Sequence, residues 1–301
     1  MRSLFWLSIV FALLPARAVA QSLPNEIIGH RLPVPGVKVD GTTANLSEVE
    51  RELVDALPAQ QQAERLLQYA ISHHAGATAE IKARVSGWRG VIALTPSMST
   101  LLDVARNGAD LRVRAAAIEI ELASFDIAKN EARVEALLEQ IAAGPANARL
   151  AIYTLGLLGN RGVALDRIHA QLRELARSPD ADVRFQAYAA IANLGTDDSV
   201  ADLVAAFRFD ASANVRINGG GCGLAHCGML TRAQRMSAIP ALLDMVEDPA
   251  IDAALRVYGY RALREITDQA LPDEPALWRE WYAVNGAETL EKFRRLSAPG
   301  A

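Results

Sequence analysis

The chain has 301 residues, 31 basic and 35 acidic side chains, and a net charge of −4. A mildly acidic chain argues against nucleic-acid binding, because that affinity comes from neutralising phosphates. Hydrophobic residues make up 51% and aromatics only 6%, which suits one elongated helical array better than two globular domains.

Residues 1–20 read as a signal peptide: Arg2 is the positive n-region, Leu4–Leu14 an apolar run too short to span a bilayer, and Ala18-Val19-Ala20 the cleavage signal. The expected mature start is Gln21. Losing Arg2 and Arg17 takes the net charge to −6. No second long apolar run follows, so no membrane span is expected in the mature chain. The expected location is the periplasm or the cell exterior.

Residues 21–44 read as extended, with Pro24, Pro33, Pro35, Gly36 and Gly41 breaking any helix and Val34, Val37 and Val39 suited to a short edge strand. Residues 45–76 then read as an N-terminal helical cap, two helices at Leu46–Leu57 and Ala59–His74 joined at Pro58.

From 77 to 270 a single unit recurs. Its clearest copy is Asp180–Gly195, DADVRFQAYAAIANLG, with an N-cap residue first, a helix-stop glycine last and Val183, Ala187, Ala190, Ile191 and Leu194 on one face. Arg184 in its first turn has counterparts at Arg114, Arg149, Arg216 and Arg256, and a degenerate one at Arg84; the intervals are 30, 35, 35, 32 and 40 residues. Four residues before each arginine stand Asp110, Pro145, Asp180, Ser212 and Asp252. Three after it come Ala117, Ile152, Ala187, Gly219 and Gly259, mostly small. Between copies runs a second amphipathic segment, such as Val200, Leu203, Val204 and Phe207. Each repeat is thus a helix pair that buries its apolar face only against its neighbours.

The D-x-x-V-R-x-x-A pattern at Asp180–Ala187, with its echoes at Arg114, Arg216 and Arg256, resembles the HEAT-repeat family in its shorter bacterial variety. The resemblance spans roughly 78–270. It implies an all-α fold, an α-solenoid in which antiparallel helix pairs build a right-handed superhelix. Residues 271–301 read as a Trp-rich C-terminal cap and tail, with Leu271, Trp278, Trp281 and Tyr282 as a lid. The stretch 215–283 resembles exported bacterial HEAT-repeat proteins with the same Trp-rich ending, which implies a scaffold or binding role and no particular reaction.

Site candidates follow from the register. Arg114, Arg149, Arg184, Arg216 and Arg256 are expected to form a structural ladder between repeats, reaching Asp182, Asn147 or Asn214. Cys222 and Cys227 are the only cysteines. In an intact helix their Cα atoms would lie about 8–9 Å apart, too far to bridge, whereas a chain that curls at Cys227, the helix-stop position, permits a disulfide; the spacing leaves both open. Cys222 and His226 have i, i+4 metal-ligand spacing but no third ligand nearby, so no metal is expected. Gly219-Gly220-Gly221 lacks the Lys-Ser/Thr of a phosphate loop and implies close packing or a kink.

Four residues after the arginines fall Trp88, Tyr153, Tyr188 and Tyr260, a periodic aromatic row that is either inter-repeat core or a binding stripe. No catalytic motif is readable, and no cofactor is expected. The function expected is non-enzymatic: an exported scaffold binding protein or peptide through its inner helices, with a HEAT-like lyase as the alternative.

Overall fold

The computed structural model describes residues 45–297, without the side chains of 145–147 and 297. The expected signal peptide at 1–20 and the extended segment at 21–44 lie outside the described residues.

The N-terminal cap is α1 (Glu48–Asp55) and α2 (Ala59–Ile71). Ser47 caps α1, accepting from Glu50 N while Glu50 Oε2 accepts from Ser47 N, so two orphan amides are satisfied reciprocally. Pro58 marks the start of α2, where a missing N–H costs nothing. Val54, Ala63, Leu66, Leu67 and Ala70 bury the cap's inner side.

Six arginine-bearing helical elements follow, alternating with intervening helices. They are α3 (Ala77–Trp88), α5 (Leu111–Ser124), α7 (Pro145–Asn160), α9 (Ala181–Leu194), a π-helical segment (Val215–Gly221) running into α11 (Cys222–Ala225), and α14 (Ala253–Thr267). The intervening helices are α4 (Pro96–Asn107), α6 (Glu131–Ala142), α8 (Leu165–Leu175), α10 (Asp197–Phe209), the pair α12 (Arg232–Met236) and α13 (Ile239–Glu247), and the terminal α15 (Pro275–Ser297). Successive arginine-bearing helices pack on one another, most extensively α7 on α9. The fold is an all-α solenoid.

Local chemistry explains the boundaries. Asp110, Asp180 and Asp252 each accept a first-turn amide at 2.7–2.8 Å, and Gly195 closes α9 in the left-handed region at φ 69°. The N-cap of α7 is Gly144, with Pro145 at the first helical position. One expected cap differs. Asn214, not Ser212, precedes the π segment.

Small residues set the spacing. A Cβ on Gly156 would meet the Ala190 backbone at 2.9 Å, and one on Gly220 would stand 2.4 Å from Phe207 N and 2.6 Å from Leu203 O. Gly220 and Gly221 pack closely on α10 while Gly219 faces Tyr188 and Phe185 of α9, and the helix widens to π hydrogen bonding through all three.

The apolar interior forms two clusters. One holds residues between Leu46 and Ala123, the other residues between Ile118 and Phe293. Helix α5 contributes to both, with Ala117 and Ile120 on one side and Ile118 and Leu122 on the other. At the far end Trp278 is fully buried and donates to Pro272 O at 2.9 Å, and the Trp281 ring meets it edge-on with centroids 6.2 Å apart. The Trp-rich segment is therefore a lid on the last repeat.

Candidate functional site: an apolar row and a braced disulfide loop

The arginine row is structural at most of its positions, through partners other than those expected. The Arg184 guanidinium forms a two-pronged pair with the buried Asp210 carboxylate, both bonds 2.8 Å, and also donates to Ser178 O. These bonds hold the Asp210 carboxyl below its ordinary range, Arg184 contributing most. Arg216 donates to Asp210 O and lies 3.5 Å from Asp252, so the rungs continue into α14. Arg256 donates to Asp248 O at the C-terminal end of α13. The recurring acceptor is thus the carbonyl end of the preceding intervening helix, where a cation is favoured by the helix dipole. Arg149 departs from the row: it is exposed and has no hydrogen bond or ion pair among the described residues.

Arg114 also departs, in the other direction. It is buried, 7% exposed, and spans 112 positions of sequence to donate to His226 O, with further bonds to Gly228 O and Gly108 O. It keeps the row's bond to the end of α4 and in addition braces the cysteine loop.

The aromatic row divides. Trp88 and Tyr260 are core residues, 3% and 2% exposed, which corrects the binding-stripe expectation for both. Tyr153 is half-buried and committed: its hydroxyl donates to Glu121 Oε2 at 2.8 Å and accepts from Arg106 at 3.0 Å. Burial raises the Glu121 carboxyl and the Tyr153 phenol from their ordinary values, a polar knot on the seam of the two apolar clusters. Only Tyr188 faces an opening. With Arg173, Ala176, Arg177, Ile191 and Asp202 it lines a shallow cleft of about 280 Å3, and the Asp202 carboxylate is held from behind by His169 Nε2 at 2.7 Å.

A different row is accessible. One residue after the arginines come Leu150 and Val257, 54% and 55% exposed, and Phe185 and Ile217, half-buried. Gly219 supplies no side chain beside Phe185 and Tyr188, whose atoms lie within 4 Å of where its Cβ would stand. The signal was present in the sequence as an apolar residue after four successive arginines, at a position where an amphipathic helix permits a polar one.

The cysteines meet. Helix α11 stops at Ala225, and the amides of His226 and Cys227 both return to Cys222 O, at 3.0 and 2.7 Å. Gly228 takes φ 70° to complete the curl. The Cα atoms are then 5.2 Å apart and the sulfurs are bonded. Arg235, 3% exposed, sits beneath the loop and donates to Gly223 O, Leu224 O, Cys227 O and Leu230 O. Burial, with Arg114 nearby, pulls its pKa down to about 9. On the outer side His226 Nε2 lies 3.6 Å from Cys222 Sγ, and His226 Nδ1 lies 2.5 Å from Glu265 Oε2. Burial works to raise Glu265, but hydrogen bonds from His226 and Arg261 outweigh it and leave the carboxyl at about 2. The side-chain donors of Cys222, His226 and Cys227 lie within 4.8 Å of one another, closer than a continuous helix would place them. Sequence reading left His226 without its acid. Yet His226 is ten residues after Arg216 and Glu265 nine after Arg256, nearly equivalent positions in successive repeats.

Repeated helix pairs with a capped arginine register define an α-solenoid of the repeat-scaffold class. Residues 131–218, from α6 into the π segment, match the family model for HEAT repeats, so this stretch of the solenoid is built of HEAT repeats. Comparison with curated proteins and with solved structures returned no match.

Proposed function

We propose that this protein is an exported scaffold that binds an extended segment of another polypeptide along the N-terminal turns of its arginine-bearing helices. The observation that carries the reading is the row Leu150, Phe185, Ile217 and Val257: apolar side chains at one repeat position in four successive repeats, the outer two exposed and the inner two half-buried. Singly exposed apolar residues are ordinary; a periodic run of them is the anchor pattern that a bound chain fills. Tyr188 and its cleft extend the row with a rigid ring and the Arg173 and Arg177 guanidiniums. The acidic balance of the chain and its N-terminal leader pattern favour an exported protein partner over nucleic acid.

A photo-crosslinker at position 185, introduced in the native host, tests the reading. Partner capture is expected from wild-type background and is expected to fall at least tenfold in Leu150→Asp/Val257→Asp, with the melting temperature held. Surface changes of this kind move stability by about 0.5 kcal/mol or less. Equal capture by the double variant would reject the row as the binding surface. N-terminal sequencing of the same material should start at Gln21; Met1 would reject export.

A further inference from the structure

The disulfide loop plays no part in the scaffold reading, and its surroundings exceed what a staple requires. We infer that the Cys222–Cys227 disulfide is a thiol–disulfide exchange site whose co-reactant is a dithiol on another polypeptide, with His226 as the acid–base group at the Cys222 sulfur.

Three independent observations carry this. First, His226 Nε2 stands 3.6 Å from Cys222 Sγ while Nδ1 is held at 2.5 Å by Glu265. That is the sulfur–imidazole–carboxylate order that activates thiols and stabilises thiolates. Second, the loop does not need the bridge to keep its shape. Arg235 holds four of its carbonyls and Arg114 two, and both amides after the helix end return to Cys222 O. A loop this short also gains least from covalent closure. Third, the buried guanidiniums of Arg114 and Arg235 gather at this loop with no ion pair of their own among the described residues; carbonyl oxygens meet them and, for Arg235, the nearby Glu265. Positive potential of that kind favours a departing thiolate.

Both cysteines are partly exposed and His226 is open to solvent. The sulfurs lie in a surface loop, a setting that suits a cysteine presented by another chain. In the forward step a substrate thiolate attacks Cys227 Sγ. A bond forms between the substrate sulfur and Cys227, the Cys222–Cys227 bond breaks, and its electron pair leaves on Cys222 Sγ. His226, as imidazolium, gives its Nε2 proton to that sulfur. The second substrate thiolate then attacks the first substrate sulfur and releases Cys227 as thiolate, which takes a proton from solvent. The net change is one protein disulfide and one substrate dithiol converted to one protein dithiol and one substrate disulfide, two electrons passing to the protein. The charged groups at His226 are Glu265 from α14, itself paired with Arg261, and Arg114 from α5, which donates to the His226 carbonyl.

The test is single-turnover oxidation of a reduced, fluorogenic two-cysteine peptide by the full oxidised chain. Wild type is expected to react at least tenfold faster than oxidised glutathione at equal disulfide concentration. His226→Ala is expected to slow the reaction at least tenfold and to flatten its pH profile, within the range general acid–base groups supply. His226→Gln, which keeps a polar side chain of similar reach, supplies the same measurement if the alanine variant fails to fold. Wild type no faster than glutathione disulfide, or both His226 variants at the wild-type rate, would overturn the proposal. So would a reduced chain that binds one zinc ion through these residues while the oxidised chain shows no His226-dependent exchange. Arg149→Ala, at an exposed side chain that takes no partner among the described residues, should leave the rate unchanged, so that a loss in the His226 variants is read at the loop.

Discussion

At the scale of single residues, Arg184 and Arg149 occupy the same repeat position with opposite surroundings. Arg184→Ala removes a two-pronged pair and leaves the buried Asp210 carboxylate unmatched, so it is expected to cost about 1–3 kcal/mol. Arg149→Ala is expected to stay within about 0.5 kcal/mol. Urea midpoints of the two variants check both, and equal shifts would remove the distinction. Glu265 gives a pH signature. Its folded value of about 2 lies below the ordinary 4.5, so its contribution is complete above about pH 4.5 and is lost as pH falls toward 2. The loss is at most about 3 kcal/mol. Stability measured across that interval should drop less steeply in Glu265→Gln than in wild type. The arginine positions were legible because they recur, whereas their acceptors were not. Periodicity reports which side of a helix a residue takes, and Asp210 sits in the turn between helices, where no period applies. For the same reason the pairing of His226 with Glu265 escapes any local pattern, since each belongs to a different repeat.

At the scale of elements, the glycine run in the π segment is a packing device. The Cβ of Gly220→Ala would lie 2.4 Å from a backbone nitrogen of α10, so the two helices must separate. Overpacking of this kind costs about 1–3 kcal/mol. By contrast, a Cβ on Gly87 meets nothing within 4 Å, and Gly87→Ala is expected to add about 0.4–1 kcal/mol by restricting the unfolded chain. Thermal melts of both should move in opposite directions; a melting point for Gly220→Ala at the wild-type value would show that α10 yields freely. The sequence indicated close packing here through the alignment of these glycines with Ala187, Tyr188 and Ala189. The widened hydrogen bonding was beyond it, because a π turn depends on what presses from the neighbouring helix. The helix stop at Cys227 was legible through its alignment with Gly195, and the bridge depended on that stop.

At the scale of the molecule, α5 belongs to both apolar clusters, and beside Ile118 and Leu122 its junction with α7 carries the polar knot of Arg106, Glu121 and Tyr153. In a repeat array, stability is a sum of units and their junctions, and a polar junction is a weak one. Equilibrium unfolding is therefore expected in two steps, with Trp88 reporting the N-terminal cluster and Trp278 the C-terminal one. Single-tryptophan variants retaining one or the other should give separate urea midpoints, and coincident curves would mean that α5 transmits folding across the seam.

The reach of Arg114 to the loop beyond α11 bears on how such a chain is able to change over time. Stacked helix pairs are ordinarily free to gain or lose a unit, because each unit meets only its neighbours. Here a donor on α5 and its acceptors at His226 and Gly228 lie 112 and 114 positions apart. A pair inserted or deleted between them would carry the guanidinium away from both carbonyls and strand a buried cation. The number of repeats in that interval is accordingly fixed by one side chain, while the flanks at α3 and α14 stay open to duplication.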